Sequence, residues 1–349
     1  MPLPEDVRPV PSGGPAAAVE SARGGSGRGT VPPEPLDPSG GPAAAVESAR
    51  GGSGRGTVPP EPPGLLVAEV LGHQRAGAYH TLTLAASEIA RTARPGQFIG
   101  LLTSPERGYL LRRPFSIHRV DWRGTGSGSL EVVFDVVGPG TRALAWLRPH
   151  DTVDVVGPLG HPFTLPEQPA SCLLIGGGYG TAPLFFLAER LLGRGCRIDF
   201  IVGASTEERL FKAMEAKRLA RSAVITTDDG SAGRRGIVTD PMPELMETAR
   251  TELVYACGPM PMLAAVGQVA TTAKVACQVA VEELMACGTG ICYSCVVPMA
   301  APEGGVRMAR SCIEGPVLDG AQVAWAELGL SAGLSGGPGY PAPLAGEAV

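Results

Sequence analysis

Ser171–Gly195 reads SCLLIGGGYGTAPLFFLAERLLGRG. An apolar run enters a glycine turn, Gly176-Gly177-Gly178-Tyr179-Gly180, and a leucine- and phenylalanine-rich stretch follows at helical spacing. A strand that feeds a helix through glycines is the opening unit of a parallel α/β sheet, and backbone amides at such a turn suit a pyrophosphate. The turn is not the strict G-x-G-x-x-G fingerprint, because Thr181 and Ala182 follow it. Glycines needed only for close strand–helix packing are therefore the competing reading. Downstream, CRIDFIVGAS, SAVITTDDG and ELVYACGP read as strands, and TEERLFKAMEAKRLA, MPELMETA and MPMLAAVGQVATTA read as helices. This alternation predicts a parallel sheet with helices on both faces. Cys257-Gly258-Pro259 closes a strand at the carboxyl edge, where such sheets bind ligands, and could flank a flat ring there. As a lone tripeptide it is more often a simple strand-end turn.

Upstream the period changes. GLLVAEVLGHQ, AYHTLTLAA, GQFIGLLTS, RPFSIHRVD, SLEVVFDVVG and DTVDVVGPLG are short β-rich runs divided by turn residues, the pattern of a small antiparallel barrel. One helix, over Thr141–Leu147, interrupts them. Arg113-Pro114-Phe115-Ser116 places an arginine and a serine in an otherwise apolar strand, and Gly138-Pro139-Gly140-Thr141 is a glycine turn opening the helix. Amides and a hydroxyl at a helix start make an anion cradle, and Arg113 could add a bidentate phosphate contact. Singly neither is specific; together they suit a dinucleotide such as a flavin. Phe115 and His118 could line its ring, although residues of an apolar strand are more often core.

Beyond the sheet, VEELMACGTGICYSCVV spans Val281–Val297, and a further cysteine stands at Cys312. Cys287, Cys292 and Cys295 have the C-x4-C-x2-C spacing of plant-type [2Fe–2S] ligands, and Cys312 supplies the fourth thiolate. Gly288 and Gly290 let the loop bend and turn its amides toward sulfur. Zinc more often uses paired C-x2-C knuckles, and disulfides do not suit a chain of this length without a secretory signal. Cys172, Cys196, Cys257 and Cys277 sit in apolar or glycine-rich surroundings and read as small buried residues.

Composition narrows the class. The chain has 349 residues, 44% hydrophobic and 5% aromatic, with net charge −5. Mild acidity without a basic stripe argues against nucleic acid, and no run reaches the roughly 18 apolar residues of a membrane helix. The opening MPLPEDVRPV lacks a signal-peptide layout, so a cytoplasmic protein is expected. The block PSGGPAAAVESARGGSGRGTVPPEP occurs at Pro11–Pro35 and unchanged at Pro38–Pro62. It offers too little apolar surface to offset ordering entropy, so residues 1–63 are expected to be a disordered tail.

The motifs RPFS, VGPGT, GPLGHPF, GGGYG, TTDDGSAGRRGIVTD and ACGP together resemble the ferredoxin–NADP reductase superfamily. VEELMACGTGICYSCVVP and RSCIEGPVLDG narrow this: they resemble the electron-transfer subunits of B-type dihydroorotate dehydrogenases. The likeness runs from about Gly64 to Trp325. It implies an FAD-binding barrel over 64–166, a Rossmann-like NAD-binding α/β domain over 167–275, a [2Fe–2S] domain over 276–325 and a flexible tail over 326–349. It further implies Arg113, Pro114, Phe115 and Ser116 near the flavin, with Gly138, Gly140 and Thr141 at its phosphates. Gly176, Gly177, Gly178 and Gly180 would take the NAD pyrophosphate, with Cys257, Gly258 and Pro259 near the nicotinamide. The four cysteines would hold the cluster. Such subunits pair, as a heterotetramer of two of each, with an FMN subunit that oxidises dihydroorotate to orotate. No residue set for acid–base chemistry on an organic substrate is apparent, so no catalytic residue is expected in this chain. Two alternatives remain at this point: a reductase subunit of a hydrogenase, sulfur reductase or transhydrogenase, and a non-enzymatic redox sensor. Gly203-Ala204-Ser205-Thr206 offers no acid for a ribose 2′-hydroxyl, and Arg209 nearby could meet a 2′-phosphate, so the choice of NAD over NADP rests on the resemblance.

Overall fold

A computed structural model describes residues 63–103, 110–122 and 126–330. The repeated block therefore lies outside the described residues. Six strands form a closed antiparallel barrel: β1 (Gly64–Ala76), β2 (Tyr79–Ala85), β3 (Phe98–Leu102), β4 (Arg113–Trp122), β5 (Gly128–Asp135) and β6 (Thr152–Leu159). The strand order is β1-β2-β5-β4-β3-β6, with β6 returning to β1. Alternate residues such as Leu82 and Leu84, or Val153 and Val155, point inward and fill the barrel. Two short helices decorate it, α1 (Ser87–Thr92) and α2 (Pro139–Leu144). The second starts two residues earlier than the sequence suggests, because Pro139 takes the first helical position and Thr141 Oγ1 accepts from the amides of Val137 and Gly138.

The second half is a seven-stranded sheet. Its parallel members are β7 (Ser171–Gly177), β8 (Arg197–Ala204), β9 (Ser222–Thr227), β10 (Arg234–Arg235), β11 (Leu253–Cys257) and β12 (Ala276–Ala280). Helices α3 (Ala182–Leu192) and α4 (Ala213–Leu219) cover one face, and α5 (Met242–Ala249) and α6 (Met260–Thr272) cover the other. After the hairpin of β13 (Val296–Ala300) and β14 (Val306–Arg310), strand β15 (Val317–Asp319) returns antiparallel to β12. The C-terminal segment thus rejoins the sheet rather than standing apart. Leu328 and Leu330 still pack on the core, so ordered chain continues past the expected boundary at 325.

Two details bind the halves. Phe186 of α3 is buried among barrel residues while its neighbour Phe185 packs in the sheet layer. The helix expected over Thr206–Ala220 is broken. A 3-10 turn at Glu207–Arg209 gives way to Leu210-Phe211-Lys212, and α4 starts only at Ala213. Phe211 is buried against the rings of Tyr79, His118 and Phe185, and Lys212 adopts a left-handed φ of 48°. Burying that ring is worth about 1.5–3 kcal/mol, more than a few helical residues contribute.

Candidate functional site: a shared cleft and a four-cysteine loop

Between barrel and sheet lies a cleft of about 380 Å³, in the range of small-molecule sites. Arg113, Pro114, Phe115 and Ser116 of β4 line one wall, and Gly138, Gly140 and Thr141 line its end. Gly140 is tightly set there, since a Cβ would sit 3.1 Å from Thr103 Oγ1 and 3.2 Å from Arg113 Nε. Thr103 Oγ1 is buried without a partner among the described residues, so a polar group is owed at this wall. The arginine, bare glycines and orphaned hydroxyl fit a dinucleotide's phosphates.

The opposite wall carries Tyr179 and Gly180 from the glycine turn. Gly178 needs its φ of 55°, while Gly176, Gly177 and Gly180 are packing glycines. A Cβ on Gly176 would meet Thr181 Oγ1 at 2.4 Å, and one on Gly180 would meet Gly258 Cα at 2.6 Å. The packing reading is thus realised at three of these glycines, and its result is a turn pressed against Cys257-Gly258. Sheet register also pairs Cys257 with Gly176. The Cys257 thiol is buried behind the turn and is not among the residues lining the cleft; burial, then the nearby Glu282 carboxylate, push it well above the usual thiol range, so it stays neutral.

Several lining residues were not singled out from the sequence. Glu282, Glu283 and Met285 enter from the cluster segment, and Phe98 enters from β3. Tyr179 OH donates a long hydrogen bond, 3.4 Å, to Glu282 Oε2. The acidic pair preceding the cysteine motif was the available signal for Glu282; Phe98 had none. Arg209 Nη1 pairs with Asp135 Oδ2 of the barrel at 3.2 Å, its side chain half exposed. Acid reaches the end of β8 from β9: the Asp228 and Asp229 amides donate to the Ala204 and Ser205 carbonyls there.

The cysteines stand as two pairs. Cys287 and Cys292 lie together at the exposed lip, and Cys292 N–H donates to Cys287 Sγ at 3.5 Å. Cys295 and Cys312 lie buried beneath them against Phe98 and Leu159. No three His, Cys, Asp or Glu side chains among the described residues are grouped to hold a single ion. Four thiols gathered at one loop are the donor set that a two-iron cluster would take. Burial raises Cys287, but the amides of Cys292 and Thr289 outweigh it and bring the thiol down to about 6. Burial and Cys295 push Cys312 up to about 12. Gly288 and Gly290 both have positive φ, and a Cβ on Gly290 would strike Ile313 at 2.8 Å.

A family model described as the iron-sulfur cluster binding domain of dihydroorotate dehydrogenase B matches residues 282–324, and one described as an oxidoreductase NAD-binding domain matches residues 174–268. Over 240 residues the chain is 38% identical to the dihydroorotate dehydrogenase B (NAD(+)) electron transfer subunit of Desulforamulus reducens, covering 69% of this chain and 90% of that protein. The chain belongs to this family of electron-transfer subunits. The same subunit of Geobacillus thermodenitrificans is 35% identical over 246 residues, 70% of this chain and 92% of that one. Among solved structures, an NADH-dependent reduced ferredoxin-NADP oxidoreductase studied for flavin-based electron bifurcation superposes with a TM-score of 0.65 at 30% identity. It covers 75% of this chain and 91% of that chain. A ferredoxin reductase of carbazole 1,9a-dioxygenase, at 20% identity and TM-score 0.52 over 62% of this chain and 68% of that one, shares the fold. The chain is an oxidoreductase subunit, and FAD, a [2Fe–2S] cluster and NAD are the cofactor set of its domains and fold. Membership also implies a catalytic partner subunit.

Proposed function

We propose that this subunit carries electrons from an FMN-containing catalytic subunit, which oxidises dihydroorotate to orotate, through its cluster and FAD to NAD+. One observation carries the reading. Phe98 lines the cleft and also belongs to the buried apolar group that holds Cys295 and Cys312, so the flavin cradle and the buried half of the cysteine site have this side chain in common. FAD, when bound, supplies the exchange between paired electrons moved as hydride and single electrons moved by iron.

The chain's own residues do the rest. Arg113, Gly138 and Gly140 receive the FAD phosphates, with Thr141 holding the shape of that turn, and Pro114, Phe115 and Ser116 lie along the ring. Gly176, Gly177, Gly178 and Gly180 bring the NAD pyrophosphate close to Cys257, Gly258 and Pro259, which bound the nicotinamide without offering a nucleophile. Asp228 and Asp229 accept ribose hydroxyls and disfavour a 2′-phosphate by like charge. Cys287, Cys292, Cys295 and Cys312 hold the cluster. Around Cys292 the loop exposes Leu284, Ile291 and Tyr293, an apolar collar that suits contact with the catalytic subunit. No helix among the described residues is long and apolar enough to cross a membrane. The cytoplasm, where thiols stay reduced, is the compartment that fits.

Coexpression with the catalytic subunit tests this. The expected product is a complex of two chains of each kind that reduces NAD+ as it forms orotate, while the catalytic subunit alone leaves NAD+ untouched. Separate elution of the two proteins, with no NAD+ reduction on mixing, would reject it.

A further inference from the structure

β4 contains a β-bulge. Ile117 pairs with Val132 and Arg119 with Glu131, which leaves His118 as the extra residue between them. Bulges re-aim side chains, and this one turns His118 out of the barrel toward the sheet half. There it is wholly buried. Its Nδ1 lies 2.6 Å from the Ala182 carbonyl oxygen and its Nε2 lies 2.9 Å from Lys212 Nζ. Ala182 can only accept and the lysine amine donates, so the imidazole is neutral with its proton on Nδ1. Glu131 is the nearest acid to Nε2, at 3.9 Å, and Lys212 also approaches Glu215 at 3.6 Å.

What these bonds join gives them meaning. Ser116, in the flavin motif, is two residues before His118, and Gly180, in the glycine turn, is two residues before Ala182. The left-handed backbone at Lys212, uncommon for a side chain of this kind, aims the amine at the second nitrogen. Arg119, next in β4, reaches Glu189 of α3 and Glu215 of α4, reinforcing the join. A second tie crosses nearby, where the Tyr79 ring of β2 meets Tyr179 of the glycine turn edge-on with centroids 5.9 Å apart.

We propose that His118 is a positioning residue: by tying the bulge of β4 to the first residue of α3, it sets the gap between flavin and nicotinamide across which hydride passes. This rests on the proposed function for where the two rings lie. The hydride carries two electrons from NADH, leaving NAD+, and the flavin is reduced by the same pair. Transfer of this kind falls steeply with misplacement, by about a hundredfold for an error near 1 Å.

The experiment uses flavin- and iron-loaded protein mixed anaerobically with NADH. In H118F, flavin content should be retained, since the barrel motifs are untouched. The single-turnover rate of flavin bleaching at saturating NADH should fall tenfold or more, the half-saturating NADH concentration should move less than threefold, and long-wavelength NADH–flavin charge-transfer absorbance should weaken. H118N, whose amide can donate to Ala182 from the Nδ1 position, should recover to within threefold of the parent. H118Q keeps only the Lys212 end and should resemble H118F, which leaves the comparison available if H118F does not fold. In protein stripped of flavin, amide exchange in the first turn of α3 should quicken about tenfold in H118Q and remain near parental in H118N. An H118F or H118Q rate within twofold of the parent, or equal losses in H118N and H118Q, would overturn the inference. A parent that binds no flavin or is not bleached by NADH would instead count against the proposed function, and the exchange measurement would still judge the tie.

Discussion

A cysteine and a histidine show how differently single residues serve this molecule. Cys292 is exposed, at the tip of its loop, where little packing depends on it. Serine there should leave the fold and the flavin bands in place while broad cluster absorption and bound iron are lost, because a hydroxyl is a poor ligand for a soft iron–sulfur centre. A visible spectrum with iron analysis checks this, and full iron in C292S would remove Cys292 from the ligand set. His118 is the opposite case. Burial first, and Lys212 second, push its pKa down to about 3 from the ordinary 6.5. Between those values the unfolded chain binds one more proton than the folded one, so this residue's contribution is intact above about pH 6.5 and is lost as pH falls. Denaturant titrations of apoprotein at pH 6 and pH 5 should show H118N losing about 1 kcal/mol less than the parent over that step. The candidate cofactor motifs could be picked out because each is a contiguous string whose chemistry is local. Phe98 could not, since its value comes from contacts with residues far along the chain, and Glu282 showed only as an acid ahead of the cysteine motif.

At the scale of elements, period was the informative quantity. Alternation gave the barrel strands, and strand–turn–helix alternation gave the parallel sheet, because each pattern reflects which face is buried. The segment Thr206–Ala220 escaped this logic. Its charged and apolar residues suit an amphipathic helix, yet Phe211 is claimed by a pocket between Tyr79, His118 and Phe185. Tertiary burial overrode local preference and moved the helix start to Ala213. The same account makes Phe211 expensive to lose. F211A should destabilise the protein by about 3–5 kcal/mol, as expected for emptying an aromatic core position. A denaturation midpoint unchanged from the parent would show that the break in the helix has another origin.

Across the whole molecule, three stations adjoin: residues of the glycine turn and of the cysteine segment both line the cleft. Glu282, Glu283 and Met285 belong to the cluster segment yet line the cleft, so that segment reaches the wall where residues 113–116 and 138–141 meet. Its outer end faces away, with Leu284 and Ile291 each 79% exposed and Tyr293 61% exposed under Arg310, 4.6 Å from the ring centroid. Isolated apolar side chains on a surface are ordinary, but a group of them around the most exposed of the four cysteines is a costly arrangement unless a partner covers it. An acidic residue placed in such a contact must be desolvated without a counter-charge, which commonly costs several kcal/mol. L284D and I291E should therefore weaken binding to the catalytic subunit at least tenfold each, measured by titration of one purified subunit against the other. Both should keep flavin, iron and NADH-to-dye activity, because neither side chain lines the cleft or supplies a ligand. Parental affinity in both variants would move the docking surface elsewhere and leave the apolar collar without an occupant. Loss of affinity together with loss of iron would show instead that the collar holds the loop around its cluster.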